Sequence, residues 1–467
     1  MLQELAGMVR ARTLSSRELV ERALARIERL DGALNAVVGL RAEEALAEAD
    51  AVDAGVARGE RLGPLAGLPF LAKEAHDVEG MPTTQGSLVY ADAPPAARDC
   101  LHIARLRHAG AIVVGKTNIP EFCFEGFTAN LLYGVTRNPW APDWSPGGSS
   151  GGSAAAMAAG MVPFATAADG GGSIRIPAAF CGLAGIKPTL GLVAREGVPS
   201  WMDFTTDGPL ATTIDDLRFL LSVEAGPAAG DPSAFPAGVV GLGPDQPLPR
   251  RVFAAPRFAD WGPLPAAIAD LFADALQAIE ADLGLTVEPL EPGEVLSAGN
   301  VDADWTVIAA AEQAHEIGRE WVEANEERLH PAFRGALRFG LGVAFEDYLA
   351  ARRRRFAYVR ELDELLGSDA VIVTPTMASE GFPADGLLSG EDLPGTPWSV
   401  YNTQAENVTG HPALSAPAGV CPNGVPFGLQ ITGPRFGDGL VLSLGAAWEQ
   451  ARPWPRVAPG HEEFEAD

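Results

Sequence analysis

The chain has few cysteines, few basic residues and no long apolar run. Its four cysteines lie far apart and none forms a CxxC pair, so the sequence indicates neither a zinc site nor a disulfide framework. No stretch approaches the ~18 consecutive apolar residues that span a membrane, and the N-terminus lacks the charged and then apolar pattern of a signal peptide. We therefore expect a cytoplasmic protein that binds no membrane, no metal ion and no cofactor.

Basic residues are scarce relative to acidic ones. The 34 lysines and arginines stand against 61 aspartates and glutamates, which gives a formal net charge of −27 at pH 7. Such a field repels the phosphate backbone of nucleic acids and anionic membrane surfaces. The one candidate basic patch, Arg352 to Arg355, falls inside a predicted helix at 348–366, where we expect a solvated or ion-paired face. The sequence thus predicts no nucleic-acid partner.

Apolar residues are plentiful and regularly spaced. Hydrophobic residues make up 47% of the 467 positions and charged residues 20%, which is typical of a folded globular protein. Helical spacing marks 13–30 and 42–57, and short apolar runs at 65–72 and 111–115 adjoin further helical stretches. Strands that alternate with helices predict an α/β protein whose sheet has parallel portions.

Glycine and serine are concentrated between 141 and 191. Residues 147–153 read GGSSGGS and stand at the start of a predicted helix, where backbone N–H groups favour negative charge. A phosphate-binding loop would carry a lysine directly before the serine or threonine, and this segment has none. The G-x-S-x-G pattern of a nucleophile elbow matches twice, centred on Ser149 and on Ser150. A flexible linker fits less well, because ordered patterns flank the segment.

A second cluster, DGGGSIRIP at 169–177, follows a predicted strand. Consecutive glycines let successive backbone N–H groups turn toward one point, as an oxyanion requires. Ser173, at the end of this run, is suited to attack an acyl group. Lys73 ends the apolar run GLPFLAK, and burial readily lowers the pKa of a lysine into the range of a general base. Each feature alone is more often an ordinary turn or strand end, but together they favour acyl chemistry.

At these residues the chain resembles the amidase-signature family, which includes fatty acid amide hydrolase, bacterial amidases and the A-type subunit of the amidotransferase that forms Gln-tRNA. The resemblance rests on Lys73, on the two glycine-serine segments, on GIKPT at 185–189, on NVTGHPAL at 407–414 and on FGLQITGP at 427–434. It implies a single large α/β domain over 1–467, with a mixed, mainly parallel-containing sheet covered by helices on both faces. The variable stretch 225–365 is then expected to shape the substrate pocket.

The resemblance also implies roles for individual residues. Ser173 attacks the carbonyl carbon, Ser149, in a cis peptide, passes the proton, and Lys73 acts as the base. The oxyanion hole consists of the backbone N–H groups of Gly170, Gly171, Gly172 and Ser173. Neutral Lys73 activates the nucleophile through this relay, and the protonated chain later supplies a proton to the leaving amine.

The sequence departs from the usual family pattern at three positions. Glu74 stands where Asp usually follows the lysine, Ala168 replaces a common Thr, and Gly170 replaces a Thr or an aliphatic residue. None of these changes removes a catalytic group. We expect the resulting run of three glycines to loosen the oxyanion loop.

Histidine offers the main rival mechanism, a Ser-His-Asp arrangement. The candidates are His411, in a loop that the resemblance puts near the core, and His76, three residues after Lys73. We assign His76 instead to the wall of the substrate pocket. Phe124, Trp144 and Trp201 are assigned to the same wall, although aromatic side chains are more often core packing.

The function that follows is hydrolysis of a small-molecule amide through an acyl-enzyme on Ser173. Acyl chemistry is indifferent to the leaving atom, so esters and carbamates (urethanes) are expected as additional substrates. Two alternatives stay open: the A-type subunit of a tRNA-dependent amidotransferase, which would need partner chains, and a non-catalytic binding protein of the same fold. The resemblance also favours a homodimer.

Overall fold

An eleven-stranded mixed sheet runs through the protein. The computed structural model describes residues 1–196, 201, 203–386 and 401–465. The strands are β1 (Val37–Leu40), β2 (Pro69–Lys73), β3 (Ile112–Thr117), β4 (Ala129–Asn130), β5 (Gly134–Val135), β6 (Phe164–Asp169), β7 (Ala184–Lys187), β8 (Thr206–Ala211), β9 (Arg251–Ala254), β10 (Val287–Pro289), β11 (Ala370–Pro375), β12 (Ala413–Val420) and β13 (Pro426–Thr432). The large sheet has the order β1-β3-β2-β6-β8-β7-β12-β13-β11-β9-β10, while β4 and β5 pair separately.

Two groups of parallel strands are separated by a run of antiparallel pairs in this sheet. β2 runs parallel to β3 and β6, and β9 runs parallel to β10 and β11. Between these two groups, the strands from β6 through β8, β7, β12 and β13 to β11 are joined in antiparallel pairs. The predicted α/β class with a mixed sheet is therefore confirmed.

Helices flank the sheet. They are α1 (Leu2–Ala11), α2 (Ser16–Leu34), α3 (Ala42–Arg58), α4 (Leu101–His108), α5 (Gly151–Ala158), α6 (Arg175–Cys181), α7 (Ile214–Glu224), α8 (Ala266–Leu283), α9 (Val301–Ile317), α10 (Arg319–Asn325), α11 (Pro331–Gly342), α12 (Phe345–Leu366), α13 (Gln404–Thr409) and α14 (Asp438–Ala451). The helix predicted at 13–30 is α2. Its capping box is formed, because Ser15 accepts from the Glu18 N–H while Glu18 accepts from the Ser15 N–H.

Side chains of one strand reach two different hydrophobic cores. On β11, Val371 and Val373 join the core that contains α8 and α14, whereas Ala370 and Ile372 join the core that contains α9, α11 and α12. Successive side chains of a strand point to opposite faces, so helices cover both faces of the sheet here, as expected. Among the described residues, no helix has the length and apolar character needed to cross a bilayer.

The basic run on α12 is ion-paired. Arg352 and Arg355 both contact the carboxylate of Asp203, and Arg354 contacts Asp304. The expectation of a solvated or ion-paired helix face is thus confirmed. These arginines hold the segment around Asp203 against α12.

The sheet also determines where polar groups gather. β2 and β6 are neighbours in parallel, so their carboxyl ends lie at the same edge. Lys73 is the last residue of β2, and the loop that contains Ser173 begins directly after β6. Ligand sites of α/β proteins form at such edges. The fold therefore brings together residues that are 100 positions apart in sequence.

The centre of the β2 and β6 pair gives a test of the core. Phe70 and Phe164 are fully buried and stack with ring centroids 5.1 Å apart. We expect Phe70→Ala to lower the free energy of unfolding by about 3–5 kcal/mol, because it leaves a cavity beneath Phe164. The control Phe356→Ala, at a side chain that is 75% exposed, should change it by no more than about 0.5 kcal/mol in urea denaturation. Equal losses in both variants would contradict this packing.

Candidate active site

Lys73 is buried at the carboxyl end of β2. Its side chain is 1% exposed, and its Nζ donates to Ser149 Oγ at 2.8 Å and to the Ala168 carbonyl at 3.2 Å. Its backbone N–H donates to Thr166 Oγ1 at 2.9 Å. The residue is thus anchored at its backbone while its amine is directed at the Ser149 hydroxyl.

Burial also sets the protonation state of this amine. Loss of water contacts lowers the pKa of Lys73 below its ordinary value of 10.5, and the thiol of Cys123 and two nearby carboxylates oppose this shift without reversing it. A lysine whose pKa is lowered is neutral over a wider pH range. Neutral Lys73 has a free lone pair and is able to accept a proton.

Ser149 lies in the glycine-rich turn that precedes α5. The peptide bond between Gly148 and Ser149 is cis, as the resemblance implied. A Cβ at Gly148 would stand 2.5 Å from the Phe127 carbonyl oxygen, so the close approach of this turn requires glycine. Ser149 is 1% exposed, and its hydroxyl accepts the hydrogen bond from Lys73 Nζ.

Ser173 lies between β6 and α6. At 8% exposure it is the most accessible of the three groups, and it lines a cavity of about 690 Å³ together with Lys73 and Ser149. A nucleophile must meet the substrate, whereas a relay and a base work behind it. The order of exposure therefore agrees with the predicted roles.

The glycines before Ser173 are held by side chains from distant elements. Trp305 Nε1 donates to the Gly170 carbonyl at 2.7 Å, and Thr403 Oγ1 donates to the Gly171 carbonyl at 2.7 Å. A Cβ on Gly170 would stand 2.4 Å from the Trp201 ring, and one on Gly171 would stand 2.5 Å from the Trp305 ring. The expectation that three glycines loosen this loop is wrong, because bulky side chains fill the space.

The N–H of Gly172 has another partner. It donates to Asp169 Oδ1 at 2.7 Å, and the N–H of Ile174 donates to Asp169 Oδ2 at 3.1 Å. The prediction that Gly172 contributes to an oxyanion hole is therefore corrected. Its N–H orders the loop through the Asp169 carboxylate instead.

Asp169 is itself held by Arg175. The guanidinium donates to both carboxylate oxygens at 3.0 Å, and both side chains are completely buried. Burial alone would raise the pKa of Asp169, but the charge and hydrogen bonds of Arg175, the hydrogen bond from Asn407 and the charge of Lys187 together outweigh burial and lower the pKa to about 2. The carboxylate thus stays ionised and accepts hydrogen bonds from the nucleophile loop at any ordinary pH.

Aromatic rings form one wall of the cavity. Phe122 lies with its ring centroid 5.7 Å from that of Tyr90 and 6.1 Å from that of Trp321, and all three line the cavity with Trp201. Gln313 and Glu316 add polar groups to the same lining. A cavity that combines an aromatic wall with convergent polar groups is suited to a small-molecule site.

The comparison with protein families identifies the chain. The family model described as Amidase matches residues 18–442, which is most of the chain. The chain belongs to the amidase family. The resemblance to amidase-signature proteins is therefore confirmed.

Known relatives of this amidase differ in their described activities. It is 32% identical to an acylamidase of Rhodococcus erythropolis, with 98% of this chain and 96% of that protein covered. It is 34% identical to the A-type subunit of the glutamyl-tRNA(Gln) amidotransferase of Chromohalobacter salexigens, with 98% of each chain covered. Among solved structures, a bacterial aryl acylamidase of the amidase-signature family superposes with a TM-score of 0.86 at 27% identity, covering 97% of this chain and 96% of the other. A 6-aminohexanoate cyclic dimer hydrolase superposes with a TM-score of 0.85 at 27% identity, covering 98% of each chain.

Three of the four predicted pocket residues line the same spaces as Lys73, Ser149 or Ser173. His76 and Trp201 line the cavity, and Phe124 lines a small recess that also contains Ser173 and Trp201. Trp144 is not among the described residues that line either space. It packs instead on the separate cluster around Phe127, so its assignment to the pocket is corrected.

The geometry does not support the alternative Ser-His-Asp mechanism. His411 is completely buried, and its Nε2 lies 3.3 Å from Asp363 Oδ1 on α12. His76 Nδ1 lies 2.9 Å from Thr166 Oγ1 and its Nε2 lies 3.0 Å from Asp207 Oδ1. His411 Nε2 and both ring nitrogens of His76 thus lie against residues other than Ser173.

Sequence reasoning missed the residues that support the site from afar. Trp305 and Thr403 hold the glycine carbonyls, and Asp207 and Thr166 hold His76. Of these four residues, only Thr166 could have been linked to the site from the sequence, because it lies on the strand that leads to the glycines, two residues before Ala168. The others follow only from tertiary packing.

The packed glycine loop gives a test in the amidase. We expect Gly171→Ala to reduce the rate of anilide hydrolysis by about 10²–10³-fold, because the new methyl group pushes the loop away from Trp305 and misdirects its N–H groups. A matched control is Gly335→Ala on α11, where an added Cβ meets nothing within 4 Å and the rate should stay within about 2-fold. A folded Gly171→Ala variant with the wild-type rate would show that the packing of Trp305 on Gly171 does not direct the N–H groups of the loop.

Proposed function

We propose that this amidase hydrolyses small amides through an acyl-enzyme on Ser173. The observation that carries the proposal is the 2.8 Å hydrogen bond from Lys73 Nζ to Ser149 Oγ, buried at the edge of a cavity that Ser173 also lines. A lysine with a lowered pKa is a competent base, and a hydroxyl in between is a competent relay.

In the first half-reaction, Ser173 Oγ forms a bond to the carbonyl carbon of the substrate. Its proton passes to Ser149, whose own proton passes to Lys73. The negative charge on the former carbonyl oxygen is stabilised by the N–H groups of Gly170, Gly171 and Ser173. The C–N bond then breaks as the relay returns a proton to the leaving nitrogen, and the acyl group remains as an ester of Ser173.

In the second half-reaction, water takes the place of the amine. Lys73 and Ser149 accept a proton from the water as it attacks the ester, and Ser173 leaves with a proton from the same relay. The products are a carboxylic acid and an amine or ammonia. Esters enter the same cycle with an oxygen leaving group. Carbamates also enter it, but their acyl carbon carries a second heteroatom, so the acid released from Ser173 loses CO2.

The substrate class follows from the cavity wall. Tyr90, Phe122 and Trp321 present ring faces and edges to the space beyond Ser173, which favours aryl amides and aryl carbamates. Trp321 and Gln313 come from the variable stretch 225–365, in support of its role in shaping the pocket. The similarity to an aryl acylamidase structure agrees with this choice.

The amidotransferase alternative is supported by the 34% identity to a chain of that enzyme. A net charge of −27 opposes a tRNA-facing surface, and the TM-score of 0.76 to the corresponding amidotransferase structure is lower than that to the aryl acylamidase. Release of ammonia from glutamine, with no turnover of anilides, would favour the amidotransferase. Turnover of neither substrate and no reaction with a fluorophosphonate would favour a binding protein.

The three catalytic roles are tested by substitution. With 4-nitroanilides and matching aryl carbamates as substrates, Ser173→Ala should lose about 10⁴-fold or more in kcat/KM. Lys73→Ala and Ser149→Ala should each lose about 10²–10⁴-fold, because proton transfer fails. Ser150→Ala, which removes the neighbouring hydroxyl and leaves the Lys73 partner intact, is the matched control and should retain most activity. Loss in Ser150→Ala with retention in Ser149→Ala would overturn the relay.

The protonation state of Lys73 predicts a pH dependence. The base is inactive when protonated, so kcat/KM should rise as pH rises through the pKa of Lys73, with a midpoint below 10.5 because burial lowers that pKa. A pH–rate profile of the wild type should show this ascending limb, and the residual activity of Lys73→Ala should lack it. An unchanged limb in Lys73→Ala would assign the titration to another group.

A further inference from the structure

A group of potential metal ligands lies in the cavity wall beside the proposed base. His76 follows β2, His102 lies in the first turn of α4, and Asp207 lies on β8. One donor atom from each falls within 4.8 Å of the others, and all three residues line the cavity. Neither the proposed acyl chemistry nor the family similarity assigns them a role.

The distances suit a tetrahedral ion. His76 Nε2 lies 3.0 Å from Asp207 Oδ1, and His102 Nδ1 lies 3.6 Å from Asp207 Oδ2. With Zn²⁺ to nitrogen or oxygen bonds of about 2.0–2.2 Å, the ligand atoms of a tetrahedron are separated by roughly 3.3–3.6 Å. One donor atom of each residue lies within 4.8 Å of the others, so the three donors are near enough to share one ion once the wider separations close.

The remaining ring nitrogens have the partners that metal-binding histidines need. His76 Nδ1 lies 2.9 Å from Thr166 Oγ1, and His102 Nε2 lies 3.3 Å from Glu224 Oε1. In protein metal sites the nitrogen that does not bind the ion usually donates to a carboxylate, a carbonyl or a similar acceptor, which orients the ring. Both histidines of this group meet that condition.

His102 supplies an independent indication. It is 2% exposed, and its two ring nitrogens lie 3.6 Å from Asp207 Oδ2 and 3.3 Å from Glu224 Oε1, at ion-pair distance but without a hydrogen bond of normal geometry within the described part of the chain. Buried polar atoms are seldom left in that state without a bound ion or water. Asp207 and Glu224 also contribute two carboxylates, which balance the charge of a divalent cation.

We propose that His76 Nε2, His102 Nδ1 and the Asp207 carboxylate bind one divalent transition-metal ion of the Zn²⁺ or Co²⁺ type. Ions of this type bind well to imidazole nitrogen combined with a carboxylate oxygen. Mg²⁺ and Ca²⁺ instead prefer sites made of oxygen donors alone. The fourth coordination position faces the cavity. The ion is thus accessible to water or to a polar group of a bound ligand.

The sequence carries no sign of this site, since the two histidines are separated by 25 residues and Asp207 lies on another strand far along the chain. No short motif connects them. The expectation of a protein without a metal ion rested on the cysteine spacing alone. The spacing of cysteines gives no information about a site whose histidines and aspartate come from three separate elements.

The test is titration of tag-free, chelator-treated protein with Co²⁺, followed by visible absorption, and with Zn²⁺, followed by calorimetry. We expect one ion per chain with a tetrahedral cobalt spectrum. Asp207→Asn and His102→Gln should abolish binding, and Glu224→Gln should weaken it about 10–100-fold by releasing the His102 ring. His108→Gln, at an exposed histidine on the same helix, is the matched control and should bind as the wild type does.

Several results would overturn the proposal. They are absence of binding to the wild type, binding that survives Asp207→Asn and His102→Gln, or loss of binding in His108→Gln. A sulfur-to-cobalt charge-transfer band that disappears in Cys100→Ser would assign the ion to the thiol that lines the same cavity. If the ligand variants fail to fold, X-ray absorption of the cobalt-loaded wild type decides, because the proposal requires two imidazole ligands and no sulfur.

Discussion

A completely buried guanidinium holds the loop that contains Ser173, the proposed nucleophile, in place. Arg175 donates to both oxygens of Asp169, and its other donors reach Glu406, Asn407, Gln430 and the Thr403 carbonyl. A buried charge without partners would be strongly destabilising, so these contacts must form together. They join the loop after β6 to α13 and β13, which come from the far end of the chain. The same segment supplies Thr403, which orients the Gly171 carbonyl.

The loop is therefore rigid in spite of its glycines. Its carbonyls are held by Trp305 and Thr403, and one of its N–H groups is held by Asp169. Fixed carbonyls also fix the peptide planes, and with them the direction of the remaining N–H groups. Such preorganisation is what stabilises charge in a transition state, because no donor has to turn during the reaction. At Lys73, the proposed base, burial acts in a different way, because loss of water contacts lowers the pKa of the amine.

Local patterns in the sequence predicted much of this arrangement. The capping box of α2, the strand that ends in Lys73, the two glycine-serine turns and the α/β class each follow from residues that are neighbours in the chain, whereas the mixed sheet was implied by the resemblance. Hydrophobic periodicity and turn chemistry act over a few residues, so they are readable without tertiary structure. The resemblance added the pairing of Lys73 with Ser149, which spacing alone does not give.

Contacts between distant segments could not be predicted in this way. Trp144 was assigned to the pocket as one of three aromatic side chains, yet it packs on the cluster around Phe127. Gly172 was assigned to the oxyanion hole, but the direction of its N–H depends on the position of Asp169. The three glycines were expected to make the loop loose, because the packing of Trp201 and Trp305 on them could not be read from the local sequence. Trp201 lies in another loop, and Trp305 lies far along the chain. In each case the outcome depends on which side chain fills a space.

The central claim is that the acyl group is carried by Ser173. The most direct test is to mix the protein with a slowly hydrolysed aryl carbamate or aryl ester, stop the reaction in acid, and locate the added mass by peptide mass spectrometry. The account predicts one acyl group per chain on the peptide that contains Ser173, and none in Ser173→Ala. An adduct on Ser149, Ser150 or Cys123, or an adduct that persists in Ser173→Ala, would contradict it.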